Sequence, residues 1–181
     1  DAFVARARAL RVGHPSDPHS DLGAVVSEAH LRKVLHHIDV AREEGGTVLC
    51  GGTRVHPEGV DGDGWYLGPT VIEGLGPACR TNQEEIFGPV VTLQPFDTEA
   101  EAIQNANSTP YGLASVIWTR DGQRMHRAAR ALKSGIVWVN CWMLRDLRTP
   151  FGGMKQSGVG REGGTEALRF FTEAKNICIK L

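Results

Sequence analysis

The feature that most narrows the fold is an alternation of strand-like and helix-like segments across the middle of this 181-residue chain. The runs "VVTLQPF" at 90–96, "ASVIWT" at 114–119 and "IVWVN" at 136–140 are short and rich in β-branched and aromatic residues, as strands are. Two amphipathic stretches lie between them. Thr98 and Glu101 stand at capping-box spacing, which predicts a helix over 98–107. Asp121 opens a second helix, with an apolar face of Met125, Ala128, Ala129 and Leu132 and an end at Gly135. Parallel neighbours need a crossover element, so this alternation predicts an α/β layer with parallel strands.

Upstream, "DAFVARARALRVG" at 1–13 reads as the tail of an amphipathic helix ending near Val12–Gly13, not as a signal peptide. A Pro/Ser/Asp loop over 13–23 follows, and Ser27 has the chemistry to cap a long helix running to about Glu44. Leu31, Val34, Leu35 and Ile38 make its apolar face, and Gly45–Gly46 stops it. "TVLCGG" at 47–52 then reads as a short buried strand, 53–64 as a Gly/Asp-rich surface excursion, and 65–75 as an extended segment. After a long loop over 141–164 come a short helix and a last extended segment, "NICIKL". Its residues alternate between Ile177, Ile179 and Leu181 on one side and Asn176, Cys178 and Lys180 on the other. A strand with one apolar face needs a sheet to join, and a neighbouring subunit can supply one.

Apolar residues make up 41% of the chain and charged residues 23%, with a net charge of −1. That balance favours neither nucleic acid nor an anionic membrane, and no apolar run is long enough to cross a bilayer. Cys50, Cys79, Cys141 and Cys178 lack metal-ligand spacing, and thiols in a reducing cytosol are the simpler reading. The seven histidines do not add a metal site: His36 and His37 are neighbours on a helix and point apart.

Three stretches carry groups that packing alone does not require: "EEIFGPV" at 84–90, "NCWMLRDLRTPFGG" at 140–153 and "KQSGVGRE" at 155–162. The glycines of the third do not form a phosphate loop, since neither dinucleotide nor P-loop spacing fits. Together the three resemble the NAD(P)-dependent aldehyde dehydrogenase superfamily, over essentially the whole chain. The string at 141–158, "CWMLRDLRTPFGGMKQSG", looks in particular like the 2-hydroxymuconic and 2-aminomuconic semialdehyde dehydrogenases.

The resemblance implies oxidation of an aldehyde to an acid with NAD, or NADP, through a cysteine thioester. It also implies that this chain is the C-terminal part of such an enzyme, with 1–168 a portion of the catalytic domain and 169–181 an oligomerisation strand segment. None of the four cysteines lies in the family's Gly-Gln-x-Cys nucleophile stretch. The nucleophile, the base and most of the cofactor domain would then lie elsewhere, and the chain alone is expected to be inactive. Cys141 is expected to be a packed or merely exposed thiol.

By the same resemblance, Glu85 takes the hydroxyls of the nicotinamide ribose and Phe87 lies against the nicotinamide. A carboxylate is an acceptor-only group suited to two O–H donors. Glu84 is read as structural or solvated, and Lys155 and Arg161 as structural. The loop at 140–153 falls at the mouth of the aldehyde tunnel, with Trp142 and Phe151 as pocket residues. Arg145 is the favoured ligand of a substrate carboxylate, as on a semialdehyde formed by aromatic ring cleavage, because its fork suits that group. Asp146 could instead neutralise either Arg145 or Arg148, and Phe151 could be plain core. The expected setting is a cytoplasmic homo-oligomer. The competing reading is a non-catalytic truncated paralogue that associates with an intact aldehyde dehydrogenase.

Overall fold

The computed structural model describes residues 1–60 and 64–181; residues 61–63 of the expected surface excursion lie outside the described residues. The chain divides into two compact units, Asp1–Pro95 and Phe96–Leu181.

The first unit begins with α1 (Ala2–Arg8), which ends a turn short of the expected boundary. Helix α2 (Glu28–Glu43) starts where Ser27 accepts a hydrogen bond from the His30 amide. Its end is a Schellman turn: Gly45 N–H donates to Arg42 O and Gly46 N–H to Ala41 O, with Gly45 at φ +91°. Leu31, Val34 and Ile38 are 3% exposed or less and pack with Leu67. A buried side chain of this size is worth about 1.5–3 kcal/mol relative to an exposed one.

Strands β1 (Thr47–Cys50), β2 (Thr70–Glu73) and β3 (Val90–Leu93) form one sheet in that order. β1 runs antiparallel to β2, and β3 parallel to it. The buried strand is therefore β2, paired on both sides, with Thr70, Val71 and Ile72 almost fully covered. β1, expected to be buried, is an edge strand with Thr47 exposed and Val48 to Cys50 only partly covered. A single helical turn, α3 (Arg80–Gln83), sits between β2 and β3. The Glu44 carboxylate accepts hydrogen bonds from its amides, at 2.7 Å from Arg80 N and 3.4 Å from Thr81 N.

The second unit contains α4 (Glu99–Asn107), β4 (Tyr111–Gly112), β5 (Ala114–Ile117), α5 (Gly122–Ala131), β6 (Ile136–Val139), β7 (Met154–Lys155) and α6 (Gly164–Phe171). Thr98 caps α4 through the Glu101 amide, and Asp121 caps α5 through Gln123 N and Arg124 N. β5 and β6 are parallel and in register from Ala114↔Ile136 to Ile117↔Val139, joined by α5. β4 and β7 form a separate antiparallel pair. Each unit thus holds one parallel strand pair. β3 pairs with β2 in a mixed sheet, and β5 pairs with β6.

Residues 172–181 carry no strand in the single chain, and Ile177, Ile179 and Leu181 are exposed. Among the described residues, no helix is long and apolar enough to cross a membrane, and no group of three or more His, Cys, Asp and Glu could hold a metal ion.

Candidate functional site

Glu85 and Phe87 lie in the first unit, on the turn between α3 and β3. One stripe of α2 pins that turn. His30 Nε2–H donates to Phe87 O at 2.6 Å, Lys33 Nζ donates to Glu85 O at 2.8 Å, and Gly88 presses against Val34. A Cβ on Gly88 would stand 2.8 Å from a Val34 methyl, so only glycine allows this approach. Further on, Pro89 O accepts from Thr70 N at 2.8 Å. Ile86 packs into the core below.

The two adjacent glutamates have different surroundings. Glu84 receives a two-pronged hydrogen bond from Arg80, at 2.7 and 3.0 Å. This contact holds its carboxyl below the usual range. His37 Nε2 is 3.9 Å from Glu84, too far for a hydrogen bond. His37 is buried, its Nδ1 has no partner among the described residues, and burial lowers its pKa, so it stays neutral near pH 7. Glu85 is exposed, and its carboxylate has no hydrogen bond or ion pair among the described residues. Phe87 is 73% exposed at φ +58°, with its ring edge-on to His30 at 5.9 Å. A rigid backbone therefore displays a carboxylate and an aromatic face, which suits a ligand offering paired hydroxyls and a flat ring.

Trp142, Arg145 and Phe151 lie in the second unit, after β6. The loop leaves the strand at Asn140, in a left-handed conformation of φ +54°. The Asn140 side chain accepts from Thr119 N at 2.9 Å and donates to Thr119 O at 2.8 Å. The buried Trp138 donates its indole N–H to Leu144 O at 2.8 Å, and the exposed Trp142 ring meets it edge-on at 5.2 Å.

Arg145 lies over the Phe151 ring, with its guanidinium carbon 4.1 Å from the centroid, and donates to Glu162 at 2.7 Å. Arg148 is forked onto Asp146 through contacts of 2.6 to 3.1 Å. Of the two arginines, Asp146 thus engages Arg148, and this pairing lowers the Asp146 pKa. Phe151 and Glu162 exchange backbone hydrogen bonds of 2.8 Å in both directions. Lys155 reaches Asn107 O and Thr109 O, and Arg161 reaches Gly153 O and Gly160 O, so both cations bind backbone carbonyls. Cys141 is partly buried. A cavity of about 670 Å³ in the second unit is lined by Ile103, Val116, Trp118 and Leu132 among others, and by none of the candidate residues.

His30, Lys33 and Glu162 contact the candidate residues and carry no signal of that in the sequence. His30, Lys33, Val34 and His37 stand at i, i+3, i+4 and i+7, a spacing visible in the sequence. What that stripe faces, more than fifty residues on, is not.

Residues 1–177 match the aldehyde dehydrogenase family. The chain is 50% identical over 186 residues to the 2-hydroxymuconic semialdehyde dehydrogenase of Pseudomonas sp. (strain CF600), covering 100% of this chain and 38% of that protein. It is 49% identical over 186 residues to the 2-aminomuconic semialdehyde dehydrogenase of Bos taurus, covering 98% of this chain and 37% of that protein. It therefore spans well under half the length of these curated relatives. Among solved structures, HpcC from Thermus thermophilus superposes with a TM-score of 0.89 at 43% identity, over 98% of this chain and 36% of that one. The NAD+ complex of aldehyde dehydrogenase from Bacillus cereus gives 0.89 at 39% identity, over 96% of this chain and 34% of that one. Matched along nearly its whole length in sequence and in fold, this chain belongs to the aldehyde dehydrogenase family.

Proposed function

We propose that the chain is the C-terminal part of a cytoplasmic NAD(P)-dependent dehydrogenase that oxidises a carboxylated semialdehyde, of the kind formed by aromatic ring cleavage, to the acid. In this reading 1–168 belongs to the catalytic domain and 169–181 is a strand that joins a second copy in a homo-oligomer. The cofactor, NAD or alternatively NADP, supplies the two-electron acceptor when bound. Glu85 accepts the two ribose hydroxyls, and the Phe87 ring limits the drift of the nicotinamide. Arg145 takes the substrate carboxylate, with Trp142 and Phe151 beside the aldehyde. The nucleophile and base come from other sequence, so this segment alone is inactive.

The observation that carries the reading is the contrast between the two glutamates. Arg80 holds Glu84, while a turn pinned by His30, Lys33 and Val34 leaves the Glu85 carboxylate and Phe87 ring open. The exposed Ile177, Ile179 and Leu181 support association, and equally a non-catalytic role docked on an intact aldehyde dehydrogenase. Activity gained by joining the segment to an upstream catalytic part would exclude that second role.

The substrate assignment is tested by Arg145→Ala in the longer polypeptide. A charged hydrogen bond contributes about 1.5–3 kcal/mol, so KM for a carboxylated semialdehyde should rise by at least about tenfold. A plain aldehyde of equal length should lose far less. Equal losses on both substrates would refute the assignment.

A further inference from the structure

Arg145, Phe151 and Glu162 form one preorganised unit. The antiparallel bridge between Phe151 and Glu162, closed by two backbone hydrogen bonds of 2.8 Å, sets the ring and the carboxylate side by side. Arg145 then lies over the ring, its guanidinium carbon 4.1 Å from the centroid, and donates to Glu162 through Nη2 at 2.7 Å. A guanidinium offers five N–H donors, so donors remain, but the nearest acceptor position is already taken. The only other acidic group in this stretch of loop, Asp146, is committed to Arg148. Glu162 therefore presents to Arg145 the same chemical group that the semialdehyde would present.

Resting on the reading of Arg145 as the substrate's carboxylate ligand, we infer that Glu162 is a built-in carboxylate that sets substrate discrimination. It keeps the guanidinium seated on Phe151 while the site is empty. When a carboxylated substrate arrives, Glu162 competes for the same cation and repels the incoming charge. Two carboxylates on one guanidinium lie within about 6 Å of each other, where water-screened repulsion corresponds to roughly a three- to tenfold change in affinity. A substrate without a carboxylate does not meet this competition. The unit therefore trades affinity for the charged substrate against a cation that is already in position.

The test is Glu162→Gln in the full-length enzyme. Glutamine supplies an amide oxygen that can accept from Arg145 in place of the carboxylate oxygen and leaves the backbone bridge intact, so the negative charge is removed at nearly constant shape. With a carboxylated semialdehyde and a plain aldehyde of equal length as paired substrates, the ratio of their kcat/KM values should rise roughly three- to tenfold. The change should lie in KM of the carboxylated substrate, with its kcat steady. An unchanged or lowered ratio overturns the inference. Arg145→Ala run beside it separates the two levels. If Arg145→Ala collapses the ratio while Glu162→Gln fails to raise it, only the role of Glu162 falls. If Arg145→Ala leaves the ratio unchanged, the carboxylate reading falls and takes this inference with it.

Discussion

Replacing His30 with alanine should loosen the turn that displays Glu85 and Phe87. Phe87 sits at φ +58°, a left-handed conformation that costs a non-glycine residue about 1–2 kcal/mol. Two contacts from His30 offset that cost. Nε2–H donates to Phe87 O at 2.6 Å, a bond worth about 1 kcal/mol net. The ring edge meets Phe87 at 5.9 Å, which adds about 0.5–1.5 kcal/mol. The offset is of similar size to the strain, so without His30 the displayed conformation becomes one of several. If its population falls to roughly a tenth, the apparent affinity for the cofactor falls about tenfold. On the proposed reading of this turn, the assay is calorimetric titration of NAD into a longer polypeptide that carries this segment. His30→Gln, which retains a side-chain N–H donor, should recover part of the loss. Wild-type affinity in His30→Ala would refute the idea that this contact maintains the turn.

Two further outcomes follow from packing and charge. Glu99 receives hydrogen bonds from Arg127 and Arg124, which hold its carboxyl down at about 2 and tie α4 to α5. A depressed folded-state pKa gives stability that is fully present above the ordinary carboxylate range and is lost as pH falls from about 4.5 toward about 2. Glu99→Gln should therefore flatten the acid dependence of unfolding in that window, and an unchanged profile would refute the contribution. Ile38→Ala, at a position with 0% exposure between Leu31, Val34 and Leu67, should cost about 2–5 kcal/mol in chemical denaturation; less than about 1 kcal/mol would mean that α2 does not anchor the first unit.

Ser27, Thr98 and Asp121 each cap the helix expected of them, because a cap is a bond between residues two or three positions apart and is written locally. Strand partners are not local. "VVTLQPF" reads as one member of a parallel series, and β3 does pair with β2 in parallel, but the antiparallel β1 on the other side of β2 has no local signal. The turn α3 has no sequence signature of its own, since its amides are satisfied by Glu44 from 36 residues upstream. The proposed site divides in the same way. Glu85, Phe87 and Arg145 are visible as residue types in a motif, whereas the contacts of His30 and Glu162 are made only by the fold.

The most direct test of the proposed cofactor role compares Glu84→Gln with Glu85→Gln by NAD titration of a longer polypeptide that carries this segment, with thermal unfolding measured on each. Glu85→Gln should weaken cofactor binding and leave stability near wild type, because its exposed carboxylate makes no hydrogen bond or ion pair among the described residues. Glu84→Gln should do the reverse, losing the Arg80 fork while retaining the cofactor. Equal NAD affinities in the two variants, or a loss confined to Glu84→Gln, would contradict the account.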